Sequence, residues 1–231
     1  MDNCKKTSLR GIAQNDNLNY FSAITLNLAS FDGIGRIDVY GTGVTLHIDG
    51  EGVFCSSTGT ISSTPKDANS GTLYLKNIAD NDKLLIKNKY NITSLIFSNN
   101  FYAANTTPAL NYLVNLQTLR PNNYSNNMHI DLNSISKYSK DLTTIDNMYN
   151  SNCIGDIETI VENLIALGRS SGSLAMTGYE TNIKLNDTNF FRSYTDRNEK
   201  LTITFGNNSA TCTWKGNTVA SYDGSTWTYN S

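Results

Sequence analysis

The chain has 231 residues, a formal net charge of −2 and 16% charged residues against 39% hydrophobic ones. That balance leaves a surface made chiefly of Asn, Thr and Ser, and it offers no basic field for the phosphate attraction on which nucleic-acid binding rests. No run approaches the roughly 20 apolar residues that span a bilayer, so neither nucleic acid nor membrane is an expected partner.

Residues 1–19 are polar and show no apolar period, and Met1-Asp2-Asn3-Cys4-Lys5-Lys6 leads into no apolar leader core. They read as an N-terminal tail that docks on a partner, in a protein made in a cytoplasm without a secretory signal. From Phe21 the pattern turns to alternation: Ile24, Leu26 and Leu28, then Ile37 and Val39, then Val44, Leu46 and Ile48, with glycines between the runs. Thr72-Leu73-Tyr74-Leu75 and Leu84-Leu85-Ile86 add two more. Short alternating runs between turn residues are half-buried strands, which predicts a β-sandwich or meander over 20–90.

Residues 91–172 contain a repetition. "ITSLIFSNN" at 92–100, "LQTLRPNN" at 116–123 and "LTTIDNMYN" at 142–150 share apolar residues at their first and fourth positions. The step from Ile92 to Leu116 is 24 residues and from Leu116 to Leu142 is 26, inside the window of leucine-rich repeats. The predicted repeat core is Ile92, Leu95, Phe97 and Asn100, then Leu116 and Leu119, then Leu142, Ile145 and Asn150. The asparagines are expected to hydrogen-bond turn backbone between stacked coils. Pro121 and Asn147 replace the expected apolar residue at the sixth position, so the block is short and irregular.

One amphipathic helix follows, with Ile157, Ile160, Val161, Leu164 and Ile165 on a face, Asp156 at its start and Gly168 past its end. Its expected place is over the open end of the repeat stack. Residues 173–231 return to alternation, from Leu201, Ile203 and Phe205 through Cys212 and Trp214 to Trp227 and Tyr229, with "GNN", "KGN" and "YDGS" turns between. This predicts a C-terminal β-hairpin module and a mainly β protein.

No catalytic residue, metal site or cofactor is predicted. Cys4, Cys55, Cys153 and Cys212 are too far apart for a zinc or redox motif and read as free, mostly buried thiols. His47 and His129 lie in strand-like stretches without a local partner set. The pairs Asp80/Asp82, Asp49/Glu51 and Glu158/Glu162 fit no calcium loop. Gly33-x-Gly35 leads into alternation and not the helix that a dinucleotide fingerprint needs. Sequons at Asn91, Asn105, Asn123, Asn186 and Asn207 are what an Asn- and Thr-rich chain yields by chance. Among the C-terminal aromatics, Trp214 and Trp227 are the candidate sugar-stacking residues, against a plainer role as cross-strand pairs.

The β-rich N-terminal part, the short leucine-rich block with "IGDIETI" at 154–160 and the tail "WKGNTVASYDGSTWTYN" resemble leucine-rich-repeat proteins of phages and prophages of gut Bacteroides. The head-fibre and decoration proteins of crAss-like phage virions are the nearest in kind. Gly155-Asp156-Ile157 matches that family's recurring turn. The resemblance implies a non-enzymatic structural protein on the capsid exterior, with capsid or other virion proteins as partners, a homo-oligomeric state (dimer or trimer) and a carbohydrate as a ligand. A prophage-encoded surface adhesin or glycan-binding module is the alternative, and a glycan depolymerase a third reading.

Overall fold

The computed structural model describes residues 22–98, 100–104, 109–121, 128–148 and 152–230. The protein is mainly β, with two α-helices among the described residues. The expected tail, together with Cys4, Asn105, Asn123 and Asn150, lies outside them.

The N-terminal region is a sandwich. Strands β1 (Ile24–Leu28), β2 (Gly35–Gly41), β3 (Thr45–Asp49), β4 (Val53–Cys55), β5 (Asp67–Asn69), β6 (Gly71–Lys76) and β7 (Lys83–Lys87) follow one another through short turns. β8 (Ile92–Phe97) and β9 (Ala103–Ala104) complete it. One sheet has the antiparallel order β5-β3-β7-β1-β9, and the second begins β4-β6-β2-β8. Alternation explains the layering: Ile24, Leu26 and Leu28 are buried while Thr25 and Asn27 are exposed. Ile86 and Leu84, paired with β1, and Leu46 and Ile48, paired in turn with β7, face the same core as Ile37, Val39, Phe54 and Leu75 of the second sheet.

A buried carboxylate locks this sandwich. Asp82, 4% exposed, accepts from the backbone N–H groups of Ala79 (3.1 Å), Glu51 (2.9 Å) and Gly52 (2.8 Å). Lys66 ties the same turn by donating to the carbonyls of Gly50 and Gly52, both at 2.6 Å. Burial pushes the Asp82 carboxyl up, but the three N–H donors and Lys66 outweigh it and leave it below the ordinary value.

The second sheet continues without a break into the repeat block. β10 (Thr118–Arg120), β12 (Thr144–Met148) and β14 (Ser173–Gly178) add in parallel to β8. Leu95, Leu119, Ile145 and Met176 align across the four strands and are all buried. Ile92, Phe97, Leu116 and Leu142 are buried beside them. Ser94, Thr118, Thr144 and Ala175 form the outward rank of the same rungs. The irregular sixth positions have a structural reading: β10 stops before Pro121, which has no N–H for the ladder, and β12 shifts register between Ile145 and Met148. Asn100 is exposed just past β8, and its side chain makes no hydrogen bond to a described residue.

A second, smaller parallel layer backs the repeats. β11 (Ile130–Asp131), β13 (Cys153–Asp156) and β15 (Asn182–Leu185) are parallel neighbours, with β16 (Thr188–Asn189) antiparallel at the edge. Helix α1 (Leu132–Ser136) follows β11 and α2 (Ile157–Ala166) follows β13. Asp131 caps α1 by accepting from the N–H groups of Asn133 and Ser134. Asp156 holds the matching position before α2, but its carboxylate accepts from Asn133 Nδ2 at 3.0 Å, and its N–H donates to Asn133 Oδ1 at 2.9 Å. Asn163 donates to the Asn133 carbonyl and to Ser136 Oγ. The amides of Asn133 and Asn163 therefore tie these two helical arms together. Gly155 sits in a tight spot, since a Cβ there would lie 3.1 Å from Leu132 Cβ.

α2 ends as its sequence predicts: Gly168 at φ +87° donates to the Ile165 carbonyl and Arg169 N–H to the Leu164 carbonyl, the two bonds of a Schellman cap. Its place differs from the expectation. α2 runs between β13 and β14 as the helical arm of a repeat, packed on α1, β13 and β15. The far side of the parallel layer is covered instead by an antiparallel meander, β17 (Lys200–Gly206), β18 (Ser209–Trp214), β19 (Asn217–Tyr222) and β20 (Trp227–Tyr229), joined to β14 through β17. The parallel layer thus reaches past residue 172, and one sheet of eleven strands runs from β4 to β20. Lys215 and Gly216, at φ 49° and 81°, make the β18–β19 turn with the two left-handed residues that a tight hairpin needs.

Candidate functional site

The residues singled out in the sequence do not converge. His47 Nδ1 lies 2.9 Å from Asp67 Oδ1 across the β3–β5 pair, in the open. Asp80 accepts the Ser30 N–H at 2.9 Å, which lowers its pKa. Glu158 and Glu162 accept from Tyr229 OH (3.1 Å) and Trp227 Nε1 (2.9 Å). Among the described residues, no three His, Cys, Asp or Glu side chains are grouped to hold a metal ion. Cys153 and Cys212 are buried free thiols whose pKa burial pushes up to about 12, and Cys55 is a half-buried one.

Trp214 and Trp227 sit at opposite ends of the β18–β19–β20 ladder, both on its core side. Trp214 pairs with Leu201, and its ring meets Phe190 (4.8 Å) and Phe191 (5.6 Å) edge-on. Trp227 pairs across strands with Tyr222, ring to ring at 5.3 Å, and lies 6.3 Å from Tyr229 in a near-parallel stack. Packing on neighbouring aromatic rings accounts for both, cross-strand only for Trp227 with Tyr222, and the two rings do not form one platform.

A different set comes together at the rim where the chain enters the parallel strands. The Lys89–Asn91 3-10 turn leads into β8, residues 112–117 lead into β10, 138–143 into β12 and 168–172 into β14. These four entries line two adjoining open depressions. One, of about 680 Å³, is formed by Gly41, Thr42, Asn91, Thr93, Asn115 and Gln117. The other, of about 520 Å³, shares Gln117 and adds Lys140, Asp141, Thr143 and the 168–173 turn.

Three tyrosines stand in the strand entries, outside the lining of the first depression. Tyr90 is 44% and Tyr112 50% exposed, and Lys89 Nζ lies 5.3 Å and 5.5 Å from their ring centres. The Tyr112 ring stands 4.2 Å from that of Tyr138, and the hydrogen bond between their hydroxyls raises the pKa of Tyr138. Tyr112 has φ 69°, a left-handed backbone that costs a bulky residue about 1 kcal/mol or more.

The amides here are oriented by backbone. Asn91 Nδ2 donates to the Thr42 carbonyl at 2.9 Å, and Asn115 Nδ2 to the Tyr90 carbonyl at 2.6 Å. The close approach of strands at this corner demands Gly41, whose Cβ would fall 2.2 Å from the Asn91 carbonyl oxygen. In the second depression Arg169, 8% exposed, donates to the carbonyls of Leu142, Lys140 (3.3 Å) and Ser173 (2.8 Å). Its guanidinium stacks 4.2 Å from the Phe205 ring, so it braces the rim from below, and burial lowers its pKa.

Sequence reasoning missed this rim because its residues are scattered over turns. The available clue was that Tyr112 and Tyr138 stand at the same interval ahead of Leu119 and Ile145, which are aligned in the layer. It also missed that Asp131, like Asp156, directly precedes a helix, although the strand register sets Asp131 opposite Ile154. No known protein family matches the chain, and no curated protein and no solved structure does either.

Proposed function

We propose that the protein is a structural component of a bacteriophage virion, a head-fibre or capsid-decoration protein that presents its repeat layer on the particle surface toward host or mucus glycans. The observation that carries this reading is the repeat layer itself. Four parallel strands are stacked with Leu95, Leu119, Ile145 and Met176 aligned, and the Gly155-Asp156-Ile157 turn that underlies the resemblance opens the helical arm between the third and fourth. A scaffold of eleven hydrogen-bonded strands with open depressions at its rim suits display better than the enclosure of a reaction.

Association into a dimer or trimer belongs to the proposal, by faces and not by repeat edges. Both sides of the parallel layer are already paired, to β2 and to β17, and the terminal strands β4 and β20 have only three residues each, too short to invite strand addition. The test is fractionation of a lysate of the encoding phage. The chain is expected to band with density-purified particles and to be labelled on them by antibody. Its recovery from the bacterial envelope instead would replace this reading by the surface adhesin, and release of reducing sugar from capsular polysaccharide would replace it by a depolymerase.

A further inference from the structure

We propose that Tyr112 and Tyr138 form a modification site, a pair placed to be joined by one-electron oxidation into a dityrosine cross-link within the chain. The inference rests on the repeat geometry and not on where the protein is carried.

The two residues stand 26 positions apart, and each precedes an aligned core residue of its own strand, Leu119 or Ile145, by seven positions. Stacking of the coils therefore sets like against like. Neighbouring strands run about 4.8 Å apart, and the two ring centres lie 4.2 Å apart with their planes tilted by 41°. Their hydroxyls are hydrogen-bonded, which brings together the oxygen-bearing ends of the rings, where the ortho carbons lie. Tyr112 is half exposed and open to an oxidant, with the half-buried Tyr138 behind it.

The chemistry balances with one oxidant. Each phenol gives up an electron and a proton, and the two phenoxyl radicals couple between ortho carbons. The hydrogens still on those carbons then move to the phenol oxygens, and both rings become aromatic again. Hydrogen peroxide, acting through a haem peroxidase, takes up the two electrons and two protons and leaves as two waters. Because the partners are already in contact, coupling within the chain outruns coupling between copies.

Tyr179 and Tyr194 are the contrasting pair. Tyr194 is the more exposed ring at 63%, but it meets Tyr179 edge-on at 5.3 Å, and its hydroxyl accepts from Arg197. Exposure alone would favour that pair, whereas geometry favours Tyr112 and Tyr138. The proposed link also falls where it matters for the layer. β10 and β12 share two residue pairs, and the link bridges the entries to these two strands.

The experiment treats the dilute full-length chain with a haem peroxidase and hydrogen peroxide, then reads dityrosine fluorescence and the peptide map by mass spectrometry. The expected product is one chain in which the peptides holding Tyr112 and Tyr138 are joined and lighter by two hydrogens, in about 10-fold excess over a Tyr179–Tyr194 link. Tyr112→Phe and Tyr138→Phe keep the rings and should each abolish it, while Tyr194→Phe leaves it unchanged. The treated chain should unfold at a higher urea midpoint than the untreated one, through closure of the intervening loop, and treated Tyr138→Phe should show no such rise. Absence of dityrosine, a link chiefly between copies or chiefly at Tyr179–Tyr194, or a yield untouched by either phenylalanine variant would overturn the site. Each of those results leaves the virion reading intact, since particle fractionation decides that separately.

Discussion

The sandwich and the repeat layer bury apolar side chains in one continuous core, but they close it by different means. In the sandwich, strands far apart in sequence pair antiparallel, and a charged group, Asp82, ties two turns that are 30 residues apart. In the repeat layer each strand pairs in parallel with the adjacent copies, and the coils are tied by the amides of Asn133 and Asn163, by the Arg120–Asp146 ion pair and by Arg169. The first arrangement is self-sufficient, while the second depends on neighbours at each rung. Cutting one rung should therefore be felt along the layer, whereas the loss of one sandwich lock should stay local and depend on pH.

The sharpest way to break the comparison is Leu119→Ala, at the fully buried centre of the shortest repeat strand. A loss of about 3 kcal/mol is expected, read by urea unfolding. In native-state hydrogen exchange the amides of β8 to β14 and of the C-terminal meander should lose protection while those of β1, β3 and β7 keep it. Uniform loss across both regions would show one cooperative unit and erase the distinction.

Asp82→Asn comes next, at about 1–2 kcal/mol near pH 7. The carboxyl of the folded chain lies below its unfolded value, so its contribution is complete above about pH 4 and fades as pH falls through the lower, folded pKa. Urea midpoints at pH 7 and pH 3 should differ less for the variant than for the parent chain. An equal acid sensitivity in both would mean that the lock is not electrostatic. Gly155→Ala forces a methyl against Leu132 and should cost about 1 kcal/mol, seen as a lower melting temperature. Trp227→Phe keeps the ring stack and deletes the bond to Glu162, a half-exposed contact, for about 0.5 kcal/mol. A loss much above that would mean that β20 is held chiefly by its hydrogen bond to α2.

How far these regions could be read in advance follows from their periodicity. Alternation in β1, β3 and β17 is strict, because one face is buried and the other wet, so these strands are legible residue by residue. The first three repeat strands announce themselves by a step of 24 and 26 residues. The fourth hides because α2 has ten residues where α1 has five, which delays Leu174 and Met176 beyond the expected interval. The second layer stays invisible for a different reason: β11 and β13 have two and four residues, too few to establish a period. The candidate site is less legible still. Asn91, Asn115 and Gln117 are ordinary turn residues in an Asn-rich chain, and only the parallel register of β8 and β10 places them side by side. Trp214 and Trp227 drew attention by type, yet each is occupied by its own cross-strand partners.

The unbroken sheet has a mechanical consequence. A pull applied across the strands, from β4 toward β20, loads all the ladders in series, so the assembly is as strong as its weakest link. That link is β10: three residues, joined to β8 by three residue pairs and to β12 by two. Under tension in that direction the β10–β12 ladder, with its two residue pairs, is expected to open first.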